Sequence, residues 1–368
     1  MNEQQLKRAK EYCRIKNWIV LTNLLLTLGI LLLILGTGLG NGLLRVASKF
    51  NNPWAQLFIY FLSFSIVFFV FQFPLSFYSG YLIEKKYELT NHSLQSWFLD
   101  ALKRELLSFV LALAMIELLY WFIWRFPEHW WIDAWAAYAF VSLVLGQLFP
   151  VLIIPMFYKQ NPLPESPLRA KIMNLAARFG MKIDNIYSLN LSRTTKKANA
   201  AFCGIGKTKR VILGDTLIER FDDSEIEMVL AHELGHFKHK DVLKQFIFGV
   251  IVSFVIFWIS FHLLRTETPS FGTRALQDIG DFPLLSLIFY VASLILGPFG
   301  NTYSRFVERR ADEFALRAMP QKNVFISSMQ KLSESNLSDP NPHPLIEFLL
   351  YDHPSIQKRI QFAESLVV

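Results

Sequence analysis

The residues with the clearest chemistry form the segment His232-Glu-Leu-Gly-His236, which has the spacing H-E-x-x-H. On an α-helix, histidines at i and i+4 lie on one face, so both imidazoles can bind the same Zn²⁺ ion. Glu233 then lies beside the attacking water and can accept its proton as a general base. The composition predicts about 0.009 chance occurrences of this pattern, which favours a catalytic zinc site over a pair of buried structural histidines.

The segment before this motif predicts the helix that carries it. Ser224 and Glu227 have the spacing of a capping box, which predicts a helix that begins at Glu225. An apolar stripe at helical spacing continues through the motif and consists of Ile226, Val229, Leu230, Leu234 and Phe237. His239 lies between two lysines one turn beyond His236, and we interpret it as a solvated residue rather than a ligand.

Most of the remaining chain predicts membrane helices. Hydrophobic residues make up 52% of the 368 residues and charged residues 18%, against about 25% charged in soluble domains. Six stretches with few or no charges can each cross a bilayer, which takes about 20 residues. They lie between residues 16 and 45, 49 and 84, 106 and 124, 134 and 158, 245 and 264, and 282 and 304. A soluble enzyme, a disordered chain and a secreted disulfide scaffold are thereby excluded. The first stretch exceeds the apolar region of a signal peptide, so we predict an uncleaved span.

Lys and Arg predict the orientation of these spans. They are concentrated in the N-terminal segment and in the second loop, whereas the alternate loops hold few. The positive-inside rule therefore places the N-terminus, the second loop, the insert after the fourth span and the C-terminal tail in the cytoplasm. The net charge of +7 is explained by this orientation, and no nucleic-acid partner is predicted. Glu117 interrupts the third span; it is either a functional intramembrane carboxylate or a hydrogen-bonding group within the bundle.

A catalytic zinc ion needs a third protein ligand and one open coordination position. A histidine six residues after His236 would complete one known pattern, but Val242 occupies that position. A glutamate from a later helix is the other source, and it must lie on the cytoplasmic side, which excludes Glu267. Glu308 follows the sixth stretch within one turn and meets this condition. Asp312 lies on the same helical face and can accept a hydrogen bond from a ligating imidazole; the alternative is that both acids belong to an ordinary charged helix end.

The predicted spans divide the chain into four parts. These are an N-terminal membrane domain with four spans (1–158), a cytoplasmic insert (159–244), spans five and six (245–304) and a C-terminal cytoplasmic part that completes the zinc site (305–368). The insert begins with a Pro-rich linker at 161–167, and a helix is predicted at 168–179. Three strands are predicted after it, at 186–189, 199–204 and 210–213. The predicted fold class is mainly α: a polytopic α-helical membrane protein with a cytoplasmic α+β, zincin-like metalloprotease domain.

The H-E-x-x-H segment, together with Ser304-Arg305-x-x-Glu308-x-x-Ala311-Asp312, resembles the integral-membrane zinc proteases of the type I CAAX prenyl protease family. HtpX-type proteases are more distant relatives. Three further segments carry the resemblance, which extends from about residue 70 to the C-terminus: Pro74-Leu-Ser-Phe-Tyr-Ser79 with Ile83-Glu-Lys-Lys-Tyr87, Asn161-Pro-Leu-Pro-Glu165, and Lys209-Arg-Val-Ile-Leu-Gly-Asp-Thr-Leu217. Seven spans are expected in that family, so a seventh beyond the six counted here remains an open question.

The resemblance implies a metal site and its catalytic partners. It implies one Zn²⁺ ion per chain, bound by His232, His236 and Glu308. Glu233 is implied as the base and Asp312 as a residue that supports the ligands.

The resemblance also implies how a substrate is held. Asn199, which opens an edge strand, is implied to pair with the backbone of an extended substrate. His353 and Arg359 are implied to stabilise the developing oxyanion or to anchor the substrate carboxylate.

We therefore predict a multi-pass membrane metalloendopeptidase that uses zinc at the cytoplasmic face of the bilayer. Its predicted partners are the lipid bilayer and a peptide or protein substrate, which the family resemblance implies is prenylated. No obligate protein partner is predicted. One alternative is an HtpX-like quality-control protease that cleaves membrane proteins whether or not they carry a lipid. The other is a non-catalytic membrane scaffold, against which the intact Glu233 argues, because a structural zinc site needs no base.

Overall fold

The computed structural model describes residues 1–181, 186–203, 210–265 and 278–367. Within these ranges, six helices are long and apolar enough to cross a membrane, as the sequence predicts. The N-terminal part consists of α1 (Glu3–Gly36), α2 (Leu39–Ala47), α3 (Pro53–Phe77), α4 (Ile83–Lys86), α5 (Leu94–Arg125), α6 (Trp130–Leu148) and α7 (Ile154–Phe157). Wide π-helical turns join α3 to α4 and α6 to α7, so these pairs form two spans, Pro53–Lys86 and Trp130–Phe157.

A four-stranded sheet follows the fourth span. Its strands are β1 (Gln160–Pro162), β2 (Ile186–Leu189), β3 (Ala200–Cys203) and β4 (Arg210–Gly214), in the spatial order β1-β2-β4-β3. The three predicted strands are confirmed, except that β3 begins at Ala200 rather than Asn199; Gly204 and Lys209 lie outside the described residues. The prediction of a linker from residue 161 is wrong at its start, because Gln160–Pro162 pairs with β2. A proline is tolerated there because an edge strand leaves one row of backbone groups unpaired.

Within the described ranges, the soluble part contains six further helices, one of which carries the H-E-x-x-H segment. They are α8 (Pro167–Arg178), α9 (Asp215–Arg220) and α10 (Asp223–Lys238) before the fifth span, and α13 (Lys322–Asn336), α14 (Pro344–Leu350) and α15 (Ile356–Ser365) after the sixth. α10 carries the motif and contacts α8, β3 and α13. Buried side chains from the sheet and from α8, α9, α10, α13 and α15 form one continuous hydrophobic core.

The start of α10 corrects one prediction. The helix begins at Asp223 rather than Glu225, and the Glu225 side chain accepts a hydrogen bond from the Asp222 N–H at 3.0 Å. Glu225 is only 3% exposed because Ser327 and Lys331 of α13 also bind its carboxylate. These tertiary contacts favour the Asp222–Glu225 capping box over the local Ser224–Glu227 spacing.

The fifth and sixth spans are α11 (Asp241–Arg265) and α12 (Phe282–Ala318). With α1, α3, α5 and α6 they form a closed ring in which each helix contacts the next and α12 contacts α1. Glu117 is half-buried on α5, while Glu267 lies outside the described residues. α12 runs without interruption through residue 304, where the predicted domain boundary falls; the division into four parts remains a prediction.

Candidate active site

α10 and α12 bring the three predicted metal ligands together. The ligand atoms of His232, His236 and Glu308 lie within 4.8 Å of one another. The two Nε2 atoms are 3.2 Å apart; His232 Nε2 is 3.2 Å from Glu308 Oε2, and His236 Nε2 is 3.2 Å from Glu308 Oε1. Ligands at about 2.0–2.1 Å from a tetrahedral ion are separated by about 3.3 Å. The ligand atoms of His232, His236 and Glu308, called the ligand triangle below, are therefore spaced as a tetrahedral metal ion requires.

The donor chemistry of this triangle also fits a cation. Glu308 is only 6% exposed, and its two carboxylate oxygens lie 3.2 Å from His232 Nε2 and His236 Nε2; a buried carboxylate is costly unless a cation or hydrogen-bond donors bind it. Burial alone would lower the pKa of His232, but hydrogen bonds to Asp312 and Glu308 outweigh it and raise that pKa to about 10. The pocket thus favours positive charge at the position where the triangle would hold a metal ion.

Each histidine is oriented by its own carboxylate. His232 Nδ1 lies 2.8 Å from Asp312 Oδ1, and His236 Nδ1 lies 3.2 Å from Asp241 Oδ2. An Nδ1–H that donates to a carboxylate leaves the Nε2 lone pair for the metal ion. Asp241 is only 1% exposed, and sequence reasoning missed it.

Each of these carboxylates is in turn held by an arginine. Arg359 Nε donates to Asp312 Oδ2 at 2.8 Å, and Arg359 Nη2 donates to Asp312 Oδ1 at 2.5 Å. Arg310 of α12 donates to Asp241. Two His–Asp–Arg chains therefore support the ligand triangle, and both arginines follow Glu308 in the chain.

The turn between α10 and α11 brings Asp241 to His236. Lys240 has a φ of 56°, in the left-handed region that non-glycine residues rarely adopt. Asp241 is the first residue of α11, so its contact with His236 joins the metal site directly to the fifth span.

Gly235 allows α10 and α12 to approach closely. A Cβ at this position would lie 3.1 Å from the Ala311 Cα and 3.2 Å from the Ala311 carbonyl oxygen. Ala311 is fully buried one turn after Glu308. The small residues at this crossing thus set the distance between the histidine ligands and the glutamate ligand.

Glu233 lies in the cleft beside the triangle and contacts the edge strand β3. Its Oε2 accepts a hydrogen bond from the Phe202 N–H at 3.2 Å. β3 pairs with β4 on its other side, so the side toward α10 faces the cleft. The predicted base is therefore fixed by backbone that belongs to the edge of the sheet.

Asn199 is exposed, directly precedes β3 and lines the same cleft. The residue before it is fixed by Asn336 of α13, whose Oδ1 accepts from the Ala198 N–H at 3.1 Å and whose Nδ2 donates to the Ala198 carbonyl at 3.4 Å. Sequence reasoning missed Asn336, because an asparagine at the end of a helix carries no signal of a contact made 138 residues away.

His353 lies at the mouth of the site. Its Nε2 is 3.4 Å from Glu308 Oε1, and its Nδ1 is 2.8 Å from Asp352 Oδ1. The hydrogen bond to Asp352 is the largest cause of a raised pKa of His353. Since 56% of the His353 side chain is exposed, this imidazole can reach a bound substrate.

The basic residues of the tail have protein partners. Arg359 is only 9% exposed and its guanidinium binds Asp312, while Lys358 binds Glu347 at 2.6 Å. His239 packs edge-on against Phe314 and is half-buried rather than solvated. Its ring therefore faces α12 instead of the ligand triangle.

These residues surround a cleft of about 420 Å³. Its walls are β3 with the preceding turn, α10, α13 and the segment between α14 and α15. The cleft is large enough for a short extended peptide, with the ligand triangle and Glu233 on one wall.

Comparison with known proteins accounts for both halves of the chain. Residues 162–367 match the profile of peptidase family M48, and residues 1–159 match the CAAX prenyl protease N-terminal profile, described as five membrane helices. The chain belongs to peptidase family M48. Residues 1–159 contain four helices of span length in the described structure, and the short α2 lies among them.

Several relatives are similar over much of their length. The uncharacterized metalloprotease YhfN of Bacillus subtilis is 30% identical over 99% of this chain and 87% of that protein. A CAAX prenyl protease 1 homolog of Arabidopsis thaliana is 32% identical, over 78% of this chain and 68% of that protein. CAAX prenyl protease 1 of Saccharomyces cerevisiae is 29% identical, over 78% and 67%.

A solved structure has the same fold. The crystal structure of S. mikatae Ste24p matches with a TM-score of 0.90 and 22% identity, over 99% of this chain and 90% of that chain. M48 membership and the six spans establish a multi-pass membrane metalloendopeptidase with a metal cofactor.

Proposed function

We propose that this M48 protein is a zinc endopeptidase that removes the C-terminal tripeptide from prenylated C-a-a-X proteins at the cytoplasmic face of the membrane. The observation that carries the proposal is the cleft with its ligand triangle, built where α10 meets the fifth span and α12 leaves the membrane. The relatives named CAAX prenyl protease support the substrate class.

Two imidazoles, one carboxylate and edges of 3.2 Å fit zinc among the divalent metals. His232, His236 and Glu308 would hold the ion, with Asp312 and Asp241 orienting the imidazoles. Zinc, when bound, supplies a Lewis acid that polarises the scissile carbonyl and acidifies the attacking water.

The side chains of the cleft carry out the proton transfers. Glu233 accepts the proton of the attacking water and then delivers it to the leaving amine. The hydrogen bond from the Phe202 N–H holds the Glu233 carboxylate in position for this role. His353, held by Asp352, donates a hydrogen bond to the oxygen on which negative charge develops. Arg359 acts through Asp312 as a positioning residue.

Asn199 and the edge of β3 would bind the substrate as an added strand. Its prenyl group would enter an apolar space between the spans, where each buried CH₂ contributes about 0.8 kcal/mol. Cavities of about 610 and 520 Å³ between the spans could accept such a chain. The distribution of Lys and Arg supports the cytoplasmic orientation of the site.

The decisive experiment uses the purified full-length protein, zinc and two peptides. A farnesylated C-a-a-X peptide and its unprenylated twin are compared for kcat/KM and cleavage position. The prenylated peptide should be preferred mainly through KM, because the lipid contributes binding energy without touching the reacting bond. Equal kcat/KM for the two peptides, with efficient digestion of an unfolded membrane protein, would favour a quality-control protease.

A further inference from the structure

The short helix α14 is attached to the end of the sixth span. Asn301 of α12 donates a hydrogen bond to the Leu349 carbonyl at 2.9 Å. One turn later, Arg305 donates to the carbonyl oxygens of Glu347 and Tyr351 at 2.9 and 2.5 Å. The C-terminal half of α14 therefore lies at the level at which α12 leaves the membrane.

A second span gives the same level independently. The Tyr351 hydroxyl lies 3.3 Å from Asn17 Nδ2 on α1. Lys16 is the last charge before the uncharged stretch of α1, and Arg305 is the first charge after the uncharged stretch of α12. Charged residues at span ends mark the bilayer boundary, so both contacts place the end of α14 at that boundary.

The two faces of α14 differ in chemistry. Glu347 is 4% exposed and binds Lys358 and the Ser355 N–H of the soluble part. Leu345 and Phe348, at i and i+3, are 57% and 41% exposed. At 100° per residue, Glu347 is about 100° from Phe348 and about 160° from Leu345, so the apolar pair faces away from the soluble core.

α14 is bound to α12 beside the lipid-facing side of that helix. Ile295, Phe299 and Phe306 of α12 are 61%, 60% and 61% exposed and fall within about 40° of one another around the helix. Asn301 and Arg305, which bind α14, lie about 100–140° from this stripe. α14 thus flanks the lipid-facing stripe at its membrane end.

We propose that α14 is an interfacial helix that inserts Leu345 and Phe348 into the headgroup–acyl boundary of the leaflet on the metal side. The partner is the lipid surface itself, to which helices with one apolar face and one polar face bind in the plane of the interface. Residues 351–355 follow α14 directly and form one wall of the cleft with His353. Insertion therefore holds the mouth of the cleft against the bilayer, whichever substrate it takes.

The test uses single labelled cysteines in the full-length protein. Cys13 and Cys203 are replaced by Ala, and a cysteine carrying the fluorophore NBD is placed at Phe348. Phe299, on the lipid-facing stripe, is the lipid reference, and Arg317, about 18 Å beyond Arg305 along α12, is the aqueous reference. Each protein is placed in phosphatidylcholine vesicles and quenched with brominated lipid and with iodide.

The label at Phe348 should be quenched by brominated lipid as at Phe299, and its iodide quenching constant should be several-fold below that at Arg317. Adding Leu345→Asp should raise iodide access at Phe348, because a carboxylate resists entry into the boundary. Size-exclusion profiles and zinc content establish that each variant is folded. A label at Phe348 that behaves like the one at Arg317 with both quenchers would overturn the proposal without affecting the assignment of the protease.

Discussion

Replacing Gly235 by Ala should damage the metal site without removing any ligand. The added Cβ would lie 3.1 Å from the Ala311 Cα and 3.2 Å from the Phe314 Cβ. Carbon atoms pack best at about 3.5–4.0 Å, so α10 and α12 must separate by about 0.4 Å or more. His232 and His236 lie on one of these helices and Glu308 on the other.

The same separation lengthens both histidine–glutamate edges of the triangle, which are now 3.2 Å. Metal sites tolerate about 0.2 Å in ligand distance, so we expect zinc affinity to fall roughly tenfold, the lower end of the loss caused by displaced supporting groups. Overpacking costs about 1–3 kcal/mol, and the better helix propensity of Ala returns about 1 kcal/mol. The net loss of stability should therefore stay below about 2 kcal/mol.

Gly249→Ala in α11 is the matched control, because nothing lies within 4 Å of a Cβ at that position. Zinc content after dialysis against a chelator, peptide hydrolysis and thermal unfolding are measured for both variants. Gly249→Ala should retain zinc and activity. If Gly235→Ala does the same, the close helix crossing does not set the ligand geometry, and the reasoning fails.

Three further predictions concern the groups around the metal ion. Glu233→Gln should retain one zinc ion per chain and lose hydrolysis by about 10²-fold or more, because a carboxamide cannot accept a proton; metal analysis and a peptide assay measure both. Asp241→Asn and Asp312→Asn should each weaken zinc binding by about 10–100-fold in a chelator competition. Zinc binding between pH 6.5 and 10 should release a proton, because the raised pKa of His232 keeps the metal-free imidazole protonated up to about pH 10. Zinc affinity should therefore rise with pH in this range. Calorimetry in buffers of different ionisation enthalpy counts the released proton.

Each of these outcomes has a clear opposite. Zinc loss or residual hydrolysis in Glu233→Gln would remove that residue from the role of base. Asp223→Asn, at a partly exposed position on α10, is the control for Asp241→Asn; equal zinc affinities would mean that the Asp241–His236 contact does not support the ligand. Calorimetry without a released proton would show that His232 is neutral before the metal ion arrives.

The ligand triangle could be anticipated because its geometry is local or topological. The i, i+4 spacing within α10 fixes the two histidines, and the return of the sixth span to the same side of the membrane restricts the third ligand to its end. The six spans followed from uncharged stretches long enough to cross a bilayer. Such patterns are strong where a segment is long and uniformly apolar, as in α1 or α11.

The supporting carboxylate of His236 could not be anticipated. On a continuous helix, a residue five positions later lies about 140° around the axis, so Asp241 would face away from His236. The left-handed turn at Lys240 reverses this, and no residue type there predicts it, since glycine is the usual choice. The partner of Arg359 was equally hidden, because Asp312 is 47 residues away and the contact depends on how the tail docks.

α12 is one continuous helix of 37 residues that serves both as membrane span and as carrier of Glu308. From the middle of the uncharged stretch to Glu308 the helix extends about 22 Å, which makes it a lever arm. A tilt of one degree about the bilayer centre would displace Glu308 by about 0.4 Å, twice the distance tolerance of a metal site. A bilayer thinner than the hydrophobic stretch drives a span to tilt, so the thickness of the host membrane becomes a determinant of how tightly this protein holds its metal ion.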